Sequence, residues 1–185
     1  MSTLSATNIR NSGSSTNNLV LNADGSVTFG NGGTLTLGAA QASTSGTAID
    51  FVGIPSWAKR ITVGYYNVST NNASSFLMLQ VGSGSFLTTG YTSQAAAGSG
   101  SGVQTNGLHL ASQVGSSSYV LTGIAQLMQL GNLWIYTAVT NFTNTTSNGW
   151  QASGNTPATS IDRIRFTTST GATFTNGSIN IMYEG

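Results

Sequence analysis

Past residue 46, short alternating apolar stretches are each closed by a turn signal, a pattern that admits few folds. The strongest case is residues 119–130 and 133–139, separated only by Gly131-Asn132, which predicts a hairpin. Alternation places Trp134 and Tyr136 on one face of its second strand and Leu133, Ile135 and Thr137 on the other. Ile124, Leu127 and Met128 also match a helical turn, but Tyr119, Thr122 and Gly123 beside them argue for strand. Residues 60–66 carry Ile61, Val63 and Tyr65 on one face, and the last strand carries Ile179, Ile181 and Tyr183. Residues 76–81 are more continuously apolar, as expected of a central strand covered on both faces or with one face at a subunit interface. Residues 47–51 and 161–166 complete the stronger signals. Eight to ten strands after residue 46 predict an all-β, antiparallel sandwich of jelly-roll-like type. Residues 93–107 and 140–160, small or polar, read as two long loops.

Residues 50–63 form the corner that organises this head. Phe51 and Ile54 are core candidates, Pro55-Ser56 marks a turn, and Ile61 and Val63 restart a strand. Lys59 and Arg60 at the corner are expected to meet Asp50, Asp162 or a neighbouring subunit.

Residues 1–46 have a different character. The first 18 are polar and aperiodic, with Leu4 and Ile9 their only large apolar side chains. Three very short strands follow, at 19–21, 27–29 and 35–37, with Asp24-Gly25 and Asn31-Gly32 as turn signals. Strands that short need cover. They either lie on the main domain or wrap with other copies into a stalk, and the preceding arm favours the second arrangement. Small residues at 39–46 mark the expected boundary between an N-terminal anchor or stalk (1–46) and the head (47–185).

Charged residues are 5% of the chain, with a net charge of +1, against about 25% in an ordinary soluble domain. Hydroxyls, amides and backbone must therefore carry the solubility. The basic spots Lys59-Arg60 and Arg163-x-Arg165 are too small for a phosphate interface, so nucleic acid is not an expected partner. The 7 Phe, 6 Tyr and 3 Trp argue against a disordered chain. There is no cysteine, hence no disulfide and no thiolate metal site. No apolar run is long enough to predict a membrane span. Residues 1–6 lack the features of a signal peptide, so synthesis in a cytosol is expected.

Catalytic chemistry has little to work with. His109 is the only histidine and sits between Leu108 and Leu110, where packing or a hydrogen bond is the expected role. Asp162 beside Arg163 and Arg165 reads as a structural ion pair rather than half of a glycosidase pair. No serine lies in a nucleophile-elbow context, and no Gly-rich loop carries the lysine of a phosphate loop. No catalytic, cofactor-binding or metal-binding residue is assigned, and no cofactor is expected. Trp150, alone in a polar stretch, either plugs onto the core or offers a stacking face to a sugar. With Asn148, Lys59 and Arg60 it makes up the candidate surface-contact or interface residues.

The block Gly53-Ile54-Pro55-Ser56-x-x-Lys59-Arg60-Ile61-Thr62-Val63, with Phe51-Val52 before it and Val68-Ser69-Thr70-Asn71 after it, resembles a module recurrent in tail-fibre-like structural proteins of tailed bacteriophages and prophages. Leu79-Gln80-Val81-Gly82, Thr89-Gly90-Tyr91 and the segment 177–185 extend the resemblance over roughly residues 47–185. Met1-Ser2-Thr3-Leu4, Asn8-Ile9 and residues 22–29 resemble the starts of phage fibre and appendage proteins. The resemblance implies a small homotrimeric part of a virion, assembled in the host cytoplasm, with no enzymatic activity. The N-terminal segment would attach to other virion proteins. The head would meet a host surface, with glycans as the contact, on a short tail or baseplate fibre. The alternative placement is a capsid decoration, cement or head-fibre protein. A secreted carbohydrate-binding module is a third reading.

Overall fold

A computed structural model describes residues 6–25, 27–29, 35–72, 74–97, 99–100, 103–111, 118–144 and 149–185. The turn signal at Asn31-Gly32, the candidate Asn148 and the initial Met1-Ser2-Thr3-Leu4 lie outside these residues. Among the described residues there are seventeen strands and no helix.

The first three strands, β1 (Asn8–Ile9), β2 (Leu19–Leu21) and β3 (Val27–Phe29), form a small antiparallel sheet of their own. Gly25, at φ 84°, turns β2 into β3 as the Asp-Gly signal predicts. Ile9, Leu21, Val27 and Phe29 all remain exposed.

The next two, β4 (Thr36–Leu37) and β5 (Gln41–Ala42), behave differently: both run along the C-terminal strand. Two short strands that precede residue 46 thus belong to the large sheet of the sandwich described below. Gly38 allows this close approach, since a Cβ there would sit 3.1 Å from the Ile181 carbonyl oxygen that its own N–H bonds.

The head comprises β6 (Ala48–Val52), β7 (Arg60–Thr70), β8 (Leu77–Ser83), β9 (Ser85–Phe86), β10 (Thr92–Ala97), β11 (Ser99–Gly100), β12 (Leu108–Ala111), β13 (Leu121–Leu130), β14 (Leu133–Phe142), β15 (Trp150–Thr156), β16 (Arg163–Thr168) and β17 (Phe174–Glu184). They make two antiparallel sheets packed as a sandwich. The large sheet runs β11-β10-β15-β14-β13-β7-β17-β4, with β5 also on β17. The small one runs β12-β8-β16-β6, with β9 on β8. From β6 to β13 the chain passes between the sheets at every step except the hairpins β8-β9 and β10-β11, and it does so again at β16 and β17. This interleaving is jelly-roll-like, with the meander β13-β14-β15 widening the large sheet.

Alternation sorts the core as expected. Ile61, Val63, Tyr65, Leu127, Trp134, Tyr136, Ile179 and Ile181 face inward from the large sheet, and Leu77, Leu79, Val81, Ile164 and Phe166 from the small one. Each fully buried large apolar side chain contributes about 1.5–3 kcal/mol before entropy is counted. The organising corner is built as predicted: Phe51 and Ile54 are buried, Gly53 takes φ 78°, and the Ile54 N–H bonds the Asp162 carbonyl at 2.9 Å.

Parts of the two expected loops are strands instead. Residues 92–97 and 150–156 pair with each other, and β15 pairs on with β14. Their small residues are what the site requires. Ala95, Ala152, Ala138 and Ala125 lie in one register row across four neighbouring strands, all buried. Bulkier side chains there would hold off β12, which packs over this part of the large sheet.

A second adjustment is at Gly123, level with Tyr65 on β7 and Thr140 on β14. A Cβ at this position would meet the Tyr65 hydroxyl oxygen at 2.4 Å. The missing side chain lets the Tyr65 ring lie across the glycine and hydrogen-bond Thr140.

Candidate functional site

The candidate Lys59–Arg60 pair stands where the corner enters β7. The Lys59 N–H donates to the Glu184 carbonyl at 2.7 Å, tying the corner to the C-terminal strand. Arg60 pairs with the Glu184 carboxylate, which holds its guanidinium pKa above the ordinary value. Lys59 Nζ donates to Gln129 Oε1 at 2.8 Å. The expectation that this basic pair meets Asp50 or Asp162 is therefore corrected: β17 lies beside β7 and brings Glu184 level with Arg60. Leu35, Lys59, Arg60, Met128, Gln129, Glu184 and Gly185 line a shallow open depression of about 450 Å³. Its charged groups already have partners within the chain.

The two aspartates lie on the outer face of the small sheet. Asp50 on β6 and Arg165 on β16 are register partners, and both guanidinium–carboxylate bonds are 2.7 Å. Arg163 donates to Asp162 at 2.6 Å, as the sequence predicts. That bond, together with the Gly84 N–H at 3.0 Å, holds the Asp162 carboxyl below its ordinary pKa. The Phe86 ring lies under both arginines, 4.2 Å from the Arg165 guanidinium carbon and 5.7 Å from that of Arg163. The hairpin of β8 and β9 delivers this ring. Gly82 makes it tight enough, since a Cβ there would collide with the Ser85 carbonyl at 1.8 Å.

His109 is fully buried on the same outer face, level with Met78. Its Nε2 is 3.1 Å from Asn106 Oδ1 and its ring packs on Phe76. Burial lowers its pKa to about 4, so it is neutral at pH 7. It has the packing and hydrogen-bonding role that its sequence context predicts. Among the described residues no three His, Asp or Glu side chains gather in a way that would hold a metal ion.

The interior polar groups that sequence reasoning missed close an edge. Among the described residues β12 pairs only with β8, leaving one side of its backbone facing the large sheet. The Ser93 hydroxyl accepts from the His109 N–H at 2.7 Å. Tyr136 donates to the His109 carbonyl and Thr140 to the Leu110 carbonyl, both at 2.8 Å. Burial pushes the Tyr136 phenol up to about 12. Hydroxyls of one sheet thus replace a missing strand for the other. Tyr91 does the same for Val81, accepting from its N–H at 2.8 Å.

Trp150 opens β15, half-buried, and packs on the core; its indole N–H is buried without a partner. The candidates are not brought together: Lys59 and Arg60 share the corner, and Trp150 stands at the far end of the β14–β15 pairing, opposite Thr140.

No family model matches this chain, and no curated protein matches it. Among solved structures, a fructosyltransferase from A. japonicus matches 83% of this chain at 14% identity and a TM-score of 0.42. The chain spans only 26% of that protein. Alginate lyase AlgAT5, of polysaccharide lyase family 7, matches 90% of this chain and 79% of its own, at 11% identity and TM-score 0.24. The binding domain of botulinum neurotoxin DC, in complex with SialylT, matches 90% of this chain and 45% of its own, at 7% identity and TM-score 0.22. Likenesses at this level carry no argument about what the present chain binds or does.

Proposed function

We propose that this chain is a non-enzymatic structural component of a bacteriophage virion: a short trimeric fibre-like appendage of the tail or baseplate. Its N-terminal segment joins it to other virion proteins and its β-sandwich head contacts the host surface through glycans. The single observation that carries the reading is the N-terminal sheet. Its three strands of two or three residues leave Ile9, Leu21, Val27 and Phe29 exposed, which is costly for a free chain and suits a segment that meets other copies and an attachment point. The phage-like block at residues 53–63 supports it. So does the pairing of the charged corner groups Arg60 and Asp50 within the chain, with Glu184 and Arg165.

The test is imaging of the intact particle with this protein tagged. Density at the tail or baseplate is the expected result. Density on the shell would replace this placement with capsid decoration, and absence from particles would overturn the reading. Binding of the purified full chain to host glycans on an array is also expected, and no binding would remove the host-contact role.

A further inference from the structure

We infer that the large sheet binds a neutral saccharide on its outer face, in a trough centred on Tyr66. The inference rests on the host-contact reading above and gives it a place and a ligand class. Tyr66 on β7 alternates with the buried Tyr65 and is 61% exposed. It lines two open depressions, one on each side. The first, of about 410 Å³, has Asn67, Thr143, Asn144 and Asn176 as its polar walls. The second, of about 330 Å³, runs over Gly64 to Ser178 and Asn180.

The backbone builds this relief. Asn67 is the extra residue of a bulge that breaks the register of β7 with both neighbours. Leu121 and Gly123 on β13 oppose Val68 and Tyr65, while Asn176 and Ser178 on β17 oppose Ser69 and Tyr66. Asn67 takes φ 54°, and among the described residues it is the one non-glycine in the left-handed region. Its N–H donates to the Thr122 hydroxyl at 3.1 Å, and its Oδ1 accepts from Thr143 at 3.3 Å. Gly177 makes room for the bulge, since a Cβ there would meet the Asn67 carbonyl oxygen at 2.6 Å. At Gly64 the reverse holds: a Cβ would meet nothing within 4 Å beyond its chain neighbours, so the trough floor is open.

Chemistry selects the ligand. An exposed tyrosine ring offers its face to the C–H side of a pyranose, and the amides and hydroxyls around it exchange hydrogen bonds with sugar hydroxyls. Asn180 Oδ1 accepts from the Ile181 N–H at 2.8 Å, which leaves its side-chain N–H groups to donate to a ligand. Among the described residues no Lys, Arg, Asp or Glu lines either depression, so a charged ligand finds no counter-charge there. Trp150, the other candidate platform, packs on the core instead.

The probe is an array of neutral hexose and N-acetylhexosamine oligosaccharides, with sialylated and sulfated oligosaccharides on the same slide. The full-length chain is expected to bind neutral members. Gly64→Val puts a strand-compatible side chain into the trough where the fold leaves room, and Tyr66→Ala removes the ring. Each is expected to weaken binding about ten-fold or more, with the β-sheet circular dichroism and the mass by light scattering unchanged. If one variant does not fold, the other decides. Binding that survives both substitutions overturns this site and leaves the host-contact reading standing. Binding confined to sialylated or sulfated members overturns the neutral class. No binding by the wild-type chain overturns both this inference and the host-contact reading. Loss of binding together with a fall in mass assigns the face to contact between copies and overturns the site.

Discussion

On the outer face of the small sheet, Arg165 is gripped by Asp50 and backed by Phe86, and His109, Met78 and Gln80 are buried by the chain's own connections. On the outer face of the large sheet, Ile124, Met128 and Leu130 point away from the core and stay exposed. Both faces arise from the same period-two alternation. They differ in the connection that leaves each strand. After β8 the chain doubles back at Gly82 and lays Phe86 and then Asn106 over the small sheet. After β13 the two-residue turn at Gly131-Asn132 leads straight into β14 and supplies no cover. A face the chain covers itself can keep charges, because it can pair them.

The largest expected effect tests the interior that the two faces share. Phe166 is fully buried, with its ring 5.3 Å from Tyr65 and 5.7 Å from Phe174. Phe166→Ala should cost about 3–5 kcal/mol in denaturant unfolding. A loss below about 1 kcal/mol would mean that the sheets are not packed as described.

Next comes the buried histidine on the self-covered face. The folded pKa of His109 is about 4, below the ordinary 6.5. Between these values the unfolded chain takes up a proton that the folded chain refuses. The His109 contribution is therefore fully present above pH 6.5 and lost as the pH falls toward 4, by up to about 3 kcal/mol. Unfolding free energies measured from about pH 7 to about pH 4.5 should show this slope, and His109→Gln should flatten it.

Tyr136→Phe leaves the His109 carbonyl unbonded and Ser93 without that partner. Its expected cost is about 1–3 kcal/mol. A neutral result would show that water replaces the hydroxyl at the β12 edge.

The smallest effects lie on the two outer faces. Asp50 and Arg165 are each about a third exposed, so Asp50→Asn should lose less than about 1 kcal/mol. Ile124→Thr should change the stability of the separated chain by no more than about 0.5 kcal/mol.

The legibility of these features in the sequence depends on where the signal resides. The strands β7, β13, β14 and β17 are visible because large side chains alternate along them. β10 and β15 are not, because Ala95 and Ala152 serve closeness to β12 and look like loop composition. The Asp162–Arg163 pair is visible as neighbours in the chain. Asp50–Arg165 and Arg60–Glu184 are not, since they lie 115 and 124 residues apart and only strand register joins them. Ile124, Leu127 and Met128, whose spacing also suits a helical turn, carry a further signal: they make both faces of β13 apolar. The hydroxyls of Ser93, Tyr136 and Thr140 gave no advance sign, because their partners are backbone groups of a strand that leaves its edge unpaired.

In the proposed trimer the exposed apolar side chains of the N-terminal sheet meet other copies, and the most direct test is the mass of the full-length protein by light scattering across a dilution series. The expected result is a particle of three 18.9 kDa chains that dissociates on dilution. A constant 18.9 kDa at every concentration would contradict it.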